Sequence, residues 1–174
     1  MRIIAGKWRG RAIAAPKGQA TRPTSDRARE ALFSMLASRV GSFEGLQVAD
    51  IFAGSGALGL EALSRGAAHC VFVDNDRAAL DAIRANLDAL GGDGDIRAGA
   101  AERIRLVQPL DLVFLDPPYG SGLALTALAN LPVAPGGFAS IETARDETVE
   151  MEGFEKEVER VYGKAKISLL RRTP

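Results

Sequence analysis

The chain has one cysteine, one histidine and no long apolar run, and each scarcity removes a class of function. Cys70 alone excludes an internal disulfide and any metal cluster built on cysteines. It lies in the run Cys70-Val71-Phe72-Val73 and reads as a buried core thiol. His69 opens the same run with no carboxylate or cysteine at ligand spacing, so no metal site is expected. A Ser-His-Asp hydrolase would have to use this histidine, and the sequence contains no G-x-S-x-G. No segment approaches the roughly 18 consecutive apolar residues of a membrane span. Residues 1–17 carry no apolar core of the secretory type, so no signal peptide is expected. These absences predict a cytoplasmic, metal-free protein that does not engage a membrane.

What remains is an ordinary globular composition, 174 residues with 47% hydrophobic, enough for one domain with a real core. The net charge of zero conceals an asymmetry. Residues 1–30 hold eight basic side chains against Asp26 and Glu30, a net of +6, so the remaining residues carry −6. A basic arm on an acidic body is the electrostatic footprint of a polyanion binder. Arg2, Lys7, Arg9, Arg11 and Arg22 are its candidate RNA contacts. Trp8, between Lys7 and Arg9, could stack on a base or could anchor the arm to the body. The arm is expected to bind that polyanion, and deleting residues 1–20 is expected to leave small-ligand binding by the body intact.

No repeat, low-complexity stretch or linker divides the chain, so residues 1–174 read as a single domain. The arm occupies 1–24, and a helix occupies 25–40 with Thr24 or Ser25 as its N-cap. Ala28, Ala31, Leu32, Met35 and Leu36 form its apolar face. The core of the domain follows over 46–174. Strands at Val48–Phe52, Cys70–Val73, near Ile96, Leu112–Leu115 and Phe138–Ile141 alternate with helices at Leu58–Arg65, Arg77–Leu90, Glu102–Val107 and Leu123–Leu131. Pro135-Gly136-Gly137 reads as a turn before the fifth strand. Phe154–Tyr162 and Lys166–Leu170, joined at Gly163, read as a hairpin. This alternation predicts an α/β protein, a mostly parallel sheet covered on both faces with an antiparallel edge.

Asp116-Pro117-Pro118-Tyr119 follows the apolar strand Leu112–Leu115. Two prolines end the strand, because each lacks an N–H and fixes its own φ. Asp116 therefore sits at a strand's carboxyl end, where open α/β sheets bind ligands. Asp116 and the Pro117 carbonyl can both accept hydrogen bonds from one NH2 group. Two such acceptors localise a lone pair otherwise delocalised into a ring and direct it at an electrophile. Tyr119 supplies a flat face for that ring.

Asp50-Ile51-Phe52-Ala53-Gly54-Ser55-Gly56-Ala57-Leu58-Gly59 sets G-x-G-x-x-G between a strand and a helix. Asp74 ends the next strand, twenty residues after Gly54, where an acid binds ribose hydroxyls. Asp76 reads as a helix cap. Up to this point a nicotinamide dehydrogenase and an S-adenosylmethionine enzyme read alike. Asp50 could engage an ammonium, which S-adenosylmethionine carries. The Asp-Pro-Pro-Tyr segment has a place beside a methyl sulfonium donor and none in hydride transfer.

The tetrapeptide resembles the signature of S-adenosylmethionine-dependent amino methyltransferases. The run Asp50–Ala67, with Arg2-Ile3-Ile4-Ala5-Gly6 and the segment 22–33, is similar to the bacterial methyltransferases that modify guanine N2 in 16S ribosomal RNA. The resemblance covers nearly the whole chain and is weakest from Glu142 onward. It implies a class I methyltransferase, Rossmann-like fold of seven strands, the last antiparallel. It implies a guanine of a 16S hairpin loop, in free RNA or an assembling small subunit, methylated on its exocyclic nitrogen by a monomer. Carried onto matching positions, Asp116 and Pro117 hold the amino group, Tyr119 stacks on the base, and Gly54, Gly56 and Asp74 bind the cofactor. The chain departs from many relatives at Gly99-Ala100-Ala101, where they carry an acid near the adenine. Adenine-N6 methylation of nucleic acid shares the tetrapeptide, and glutamine methylation would more typically place Asn at 116. An NAD-dependent oxidoreductase or a non-catalytic RNA-binding module is the alternative of a different class.

Overall fold

A computed structural model describes residues 1–18 and 26–174 of the chain. The described part of the arm, residues 1–18, doubles back on itself through an antiparallel bridge between Arg2 and Ala12. It is followed by α1 (Asp26–Val40), β1 (Gln47–Ile51), α2 (Ala57–Ser64), β2 (His69–Asp74) and α3 (Arg77–Leu90). The second half runs β3 (Asp95–Ala98), a 3-10 turn at Ala101–Arg103, β4 (Leu110–Leu115), α4 (Leu123–Leu128), β5 (Val133–Ala144), β6 (Phe154–Tyr162) and β7 (Ala165–Arg172). The expected N-cap at Thr24 or Ser25, and Arg22, lie outside the described residues.

Among the described residues the seven strands form one sheet in the order β3-β2-β1-β4-β5-β7-β6. β3, β2, β1, β4 and β5 are parallel neighbours, and β7 runs antiparallel to both β5 and β6. This is the mixed sheet with a closing hairpin that the sequence pattern predicts. Its strand order reverses between β1 and β4, the switch point at which such sheets open a crevice at their carboxyl ends.

The strands are apolar on both faces because helices cover both. Val48, Cys70, Phe72, Leu112 and Phe114 pack under α1, α2, α3 and the arm. Ala49, Ile51, Val73, Val113 and Leu115 pack under α4 and the 3-10 turn. Strand periodicity of two sends neighbours in one strand to opposite cores. Gly59 lets α2 approach β2, since a Cβ there would lie 2.5 Å from the Phe72 ring and 2.7 Å from the Cys70 sulfur. No described helix is long and apolar enough to cross a membrane.

Three local expectations need correction. The helix expected over Glu102–Val107 is only the 3-10 turn at Ala101–Arg103. Pro135-Gly136-Gly137 does not precede β5 but lies inside it. The sheet absorbs these residues as an irregularity, with Leu110 opposite Val133 and Leu112 opposite Phe138. In α1 the buried face holds Arg29 and Phe33 with Ala28, Leu32 and Leu36, whereas Ala31 and Met35 are only half-buried. Phe33 packs on both Phe43 and Phe114, ring centroids 5.6 and 5.5 Å away, and this aromatic contact sets the rotation of the helix.

Candidate active site

At the carboxyl ends of β1, β2 and β4 lies a cavity of about 420 Å³, a size suited to one small molecule. Asp50, Gly54, Asp74, Asp116 and Pro117 all line it, so the sheet gathers five of the expected site residues into one space.

Asp74 is held rigidly. Its Oδ2 accepts the Gly54 N–H at 2.9 Å and its Oδ1 accepts the Asp76 N–H at 2.9 Å. A carboxylate has about four acceptor sites, so each oxygen keeps one for a ligand. Asp76 caps α3 through the Ala79 N–H, as its sequence position suggests. Asp50 is 2% exposed, and its Oδ2 accepts the Gly59 N–H at 2.9 Å. Burial pushes its carboxyl up to about 8, the Gly59 N–H opposes this, and the charge of Asp74 adds to it. The backbone N–H of Asp116 points to the Ile51 carbonyl at 3.5 Å, which sets Asp116 against the end of β1. Pro117 is buried, Pro118 is exposed and lines the cavity, and Tyr119 is half-buried just outside the lining.

Gly56 also lies outside the lining. It is the αL residue that starts α2, facing Phe72 and Ile83, so its geometric work is to turn the loop. Phe52 lines the cavity at φ 61°, a left-handed conformation that is rare for an aromatic residue and typical of strain held at functional sites. Gly99, Ala100 and Ala101 do not line the cavity.

The arm is part of this site. Ile3, Trp8 and Ile13 are buried in the core, so Trp8 anchors the arm, with Lys7 Nζ 4.6 Å from its ring centroid. The fully buried Glu61 of α2 accepts the Ile4 and Ala5 N–H groups at 2.9 and 3.0 Å. Ser64 adds bonds from the Lys7 and Trp8 N–H groups. Gly6 is required there, because at φ +88° a Cβ would lie 1.9 Å from the Ser64 carbonyl oxygen. Met1, Ala15 and Pro16 then form a wall of the cavity, so the arm, expected to act apart from small-ligand binding, contributes to the cavity itself. Arg2, Lys7, Arg9 and Arg11 remain exposed. Arg2 Nη1 donates to the Gly10 carbonyl at 2.7 Å, and Arg11 Nη2 to the Ala89 carbonyl at 2.6 Å.

Two residues of the site are missed by motif reading. Asn86 of α3 donates to the Ser55 carbonyl at 2.9 Å and pairs in both directions with Ala14, joining glycine loop and arm. Arg29, 0% exposed, lines the cavity from α1. Its signal is visible in the sequence, a lone cation on the stripe shared with Leu32, Phe33 and Leu36.

The donor set fits S-adenosylmethionine, with fixed acceptors at Asp74 for a ribose diol and the Asp50 carboxyl for an ammonium. Among the described residues no cluster of three or more histidine, cysteine, aspartate or glutamate side chains could hold a metal ion.

Comparison with known proteins gives the same direction. The family model described as Conserved hypothetical protein 95 matches residues 1–171. The chain is 40% identical over 126 residues to "Putative rRNA methyltransferase YlbH" of Bacillus subtilis (strain 168), covering 68% of this chain and 67% of that one. It is 42% identical over 127 residues to "Ribosomal RNA small subunit methyltransferase D" of Escherichia coli (strain K12), covering 71% of this chain. That match spans 62% of the Escherichia coli protein, less than two thirds of its length. The solved structure of "Putative methyltransferase yhhF from Escherichia coli" superposes with a TM-score of 0.86 at 36% identity, covering 99% of this chain and 98% of that one.

Proposed function

The chain belongs to the family described as Conserved hypothetical protein 95, and from that premise we propose that it is an S-adenosylmethionine-dependent methyltransferase of ribosomal RNA. Its target is the exocyclic N2 of a guanine in 16S RNA, met as free RNA or in an assembling small subunit. The observation that carries this reading is the convergence of Asp116 and Pro117 with Asp74 and the glycine loop on one cavity. The ribosomal substrate is supported by the names of the relatives and by the exposed basic side chains of the arm. The same reading has the protein working in the cytoplasm as a single copy.

When bound, S-adenosylmethionine supplies an electrophilic methyl group. The protein's part is to hold the amino nitrogen in line with it. Asp116 Oδ and the Pro117 carbonyl accept the two N–H bonds, turning the lone pair out of conjugation with the ring. The stiff Pro117-Pro118 backbone fixes both acceptors, so little reorganisation is needed as positive charge develops on nitrogen. The alkylated nitrogen is acidic and gives its proton to Asp116 or to water. A stacked guanine must first be extruded at a cost of a few kcal/mol, and stacking on Tyr119 returns about 1–3 kcal/mol.

The test is transfer of a tritiated methyl group to undermethylated ribosomal RNA, with nucleoside analysis of the product. N2-methylguanosine is expected. N6-methyladenosine would assign the adenine reading instead, and binding of NAD in preference to S-adenosylhomocysteine would assign the dehydrogenase.

A further inference from the structure

Among the described residues the cavity is lined by four acids, Asp50, Asp74, Asp76 and Asp116, and by one cationic side chain, Arg29. The guanidinium is anchored along one edge only. Its Nη2 donates to the Arg2 carbonyl and to Asp26 Oδ1, the latter at 3.2 Å. Its Nε lies 4.0 Å from Glu61 Oε1, beyond hydrogen-bonding distance. Glu61 does not need Arg29 as its principal counter-ion, because Arg65 Nε meets Glu61 Oε2 at 2.9 Å and two arm N–H groups occupy both oxygens. Nη1 of this fully buried side chain has no hydrogen-bond partner. Buried donors are almost always satisfied, and an unsatisfied charged one is costly. Nη1 therefore calls for an acceptor that the described residues do not supply.

We propose that Arg29 is the receptor for the carboxylate at the amino-acid end of the methyl donor. The inference rests on the donor reading above. The amino-acid end carries an ammonium and a carboxylate. The ammonium finds acids throughout the cavity, whereas among the described residues the carboxylate meets a cationic side chain only at Arg29. A guanidinium offers a planar pair of donors matched to a carboxylate. The anchoring of Nη2 by Arg2 and Asp26 holds that plane in place before the ligand arrives. Arg29 also links α1 to the first residues of the arm, so the carboxylate subsite is assembled by the same contact that closes the cavity wall.

The test is calorimetric titration of the full chain with S-adenosylhomocysteine and with its decarboxylated analogue, S-adenosyl-3-thiopropylamine. The wild type should prefer the carboxylate ligand by about tenfold or more, the range for a hydrogen bond to a charged group. Arg29→Met should bring that preference below about threefold while changing the affinity for the analogue little. A purely structural Arg29 would weaken both ligands equally and overturn the assignment. Should Arg29→Met not fold, the wild-type comparison and Arg29→Lys carry the test. Wild-type discrimination of less than about twofold, or an Arg29→Lys protein that keeps the full preference, also overturns it. A wild type that binds neither ligand refutes the donor reading itself, a different result from binding both alike.

Discussion

Asn86 and Ala14 exchange two hydrogen bonds across 72 residues of sequence, Ala14 N–H to Oδ1 at 2.9 Å and Nδ2–H to the Ala14 carbonyl at 3.0 Å. The same amide also donates to the Ser55 carbonyl at 2.9 Å. One buried side chain on α3 thus clamps the arm to the glycine loop, and the loop's conformation depends on the arm being docked. Polar networks of this kind specify a single arrangement when every member is satisfied.

Asn86→Ala leaves the Ala14 N–H and two carbonyls unsatisfied. It should destabilise the protein by about 1–3 kcal/mol and weaken S-adenosylhomocysteine binding several-fold. Thermal melting and calorimetry check both. An unchanged affinity with lowered stability would show that the clamp supports the fold but not the loop.

The arm's place in the cavity wall divides its two roles. Deleting residues 1–18 should abolish cofactor binding, since Met1, Ala15 and Pro16 line the cavity. Removing charge without removing the arm isolates its role toward RNA. Lys7→Ala with Arg9→Ala should flatten the slope of log RNA affinity against log salt by about 0.7–0.9 for each phosphate no longer neutralised. S-adenosylhomocysteine affinity should hold. An identical slope would remove Lys7 and Arg9 from the RNA surface.

Much of this architecture is local, and that part is legible in the sequence. The alternation of short apolar strands with helices, the glycine loop, the Asp-Pro-Pro-Tyr strand end and the closing hairpin each occupy a few consecutive residues with their own steric logic. α3 agrees at both ends, Arg77 to Leu90, because Asp76 caps it and Gly91 in αL stops it. What escapes is contact across sequence. Nothing in the sequence around Glu61 announces the arm N–H groups, 56 and 57 residues away, that its carboxylate accepts. Arg29 reads as part of a basic segment, because a charge on an apolar stripe is discounted unless a ligand or partner is known. Pro135-Gly136-Gly137 reads as a turn, because the register of its partner strand decides whether the chain reverses or bulges.

Asp50 makes stability and function oppose each other. Its carboxyl holds a proton up to about pH 8 in the folded state, against an ordinary 3.8. Between those values the unfolded chain binds fewer protons, so this group's contribution to stability is complete below pH 3.8 and falls as pH rises through 8. Asp50→Asn keeps an acceptor for the Gly59 N–H and cannot ionise. The variant should melt several degrees above wild type beyond pH 8 and lose the advantage near pH 4. Its affinity for S-adenosylhomocysteine should drop, because the amide cannot give up a proton to pair with the ammonium on binding, as the carboxyl can. Parallel melting curves at both pH values would remove Asp50 as the origin of the pH dependence.

Asp116 and Tyr119 should separate chemistry from capture of the base. Asp116→Ala removes an acceptor for the substrate amino group, which touches the reacting nitrogen and not the donor's ribose. Turnover should fall by a factor of about 100 or more, the scale of one missing transition-state hydrogen bond, with S-adenosylhomocysteine affinity within a few-fold. Tyr119 lies outside the cavity lining and should act on RNA alone. Stacking needs the ring and not the hydroxyl, so Tyr119→Phe should be mild. Tyr119→Ala should lose about 1–3 kcal/mol of base stacking, read as a raised KM for RNA at saturating methyl donor. Equal damage from the two tyrosine substitutions would transfer the role to the phenol oxygen, as a hydrogen-bonding or proton-transfer group. An Asp116→Ala protein that kept near-wild-type turnover would remove the carboxylate from the reaction.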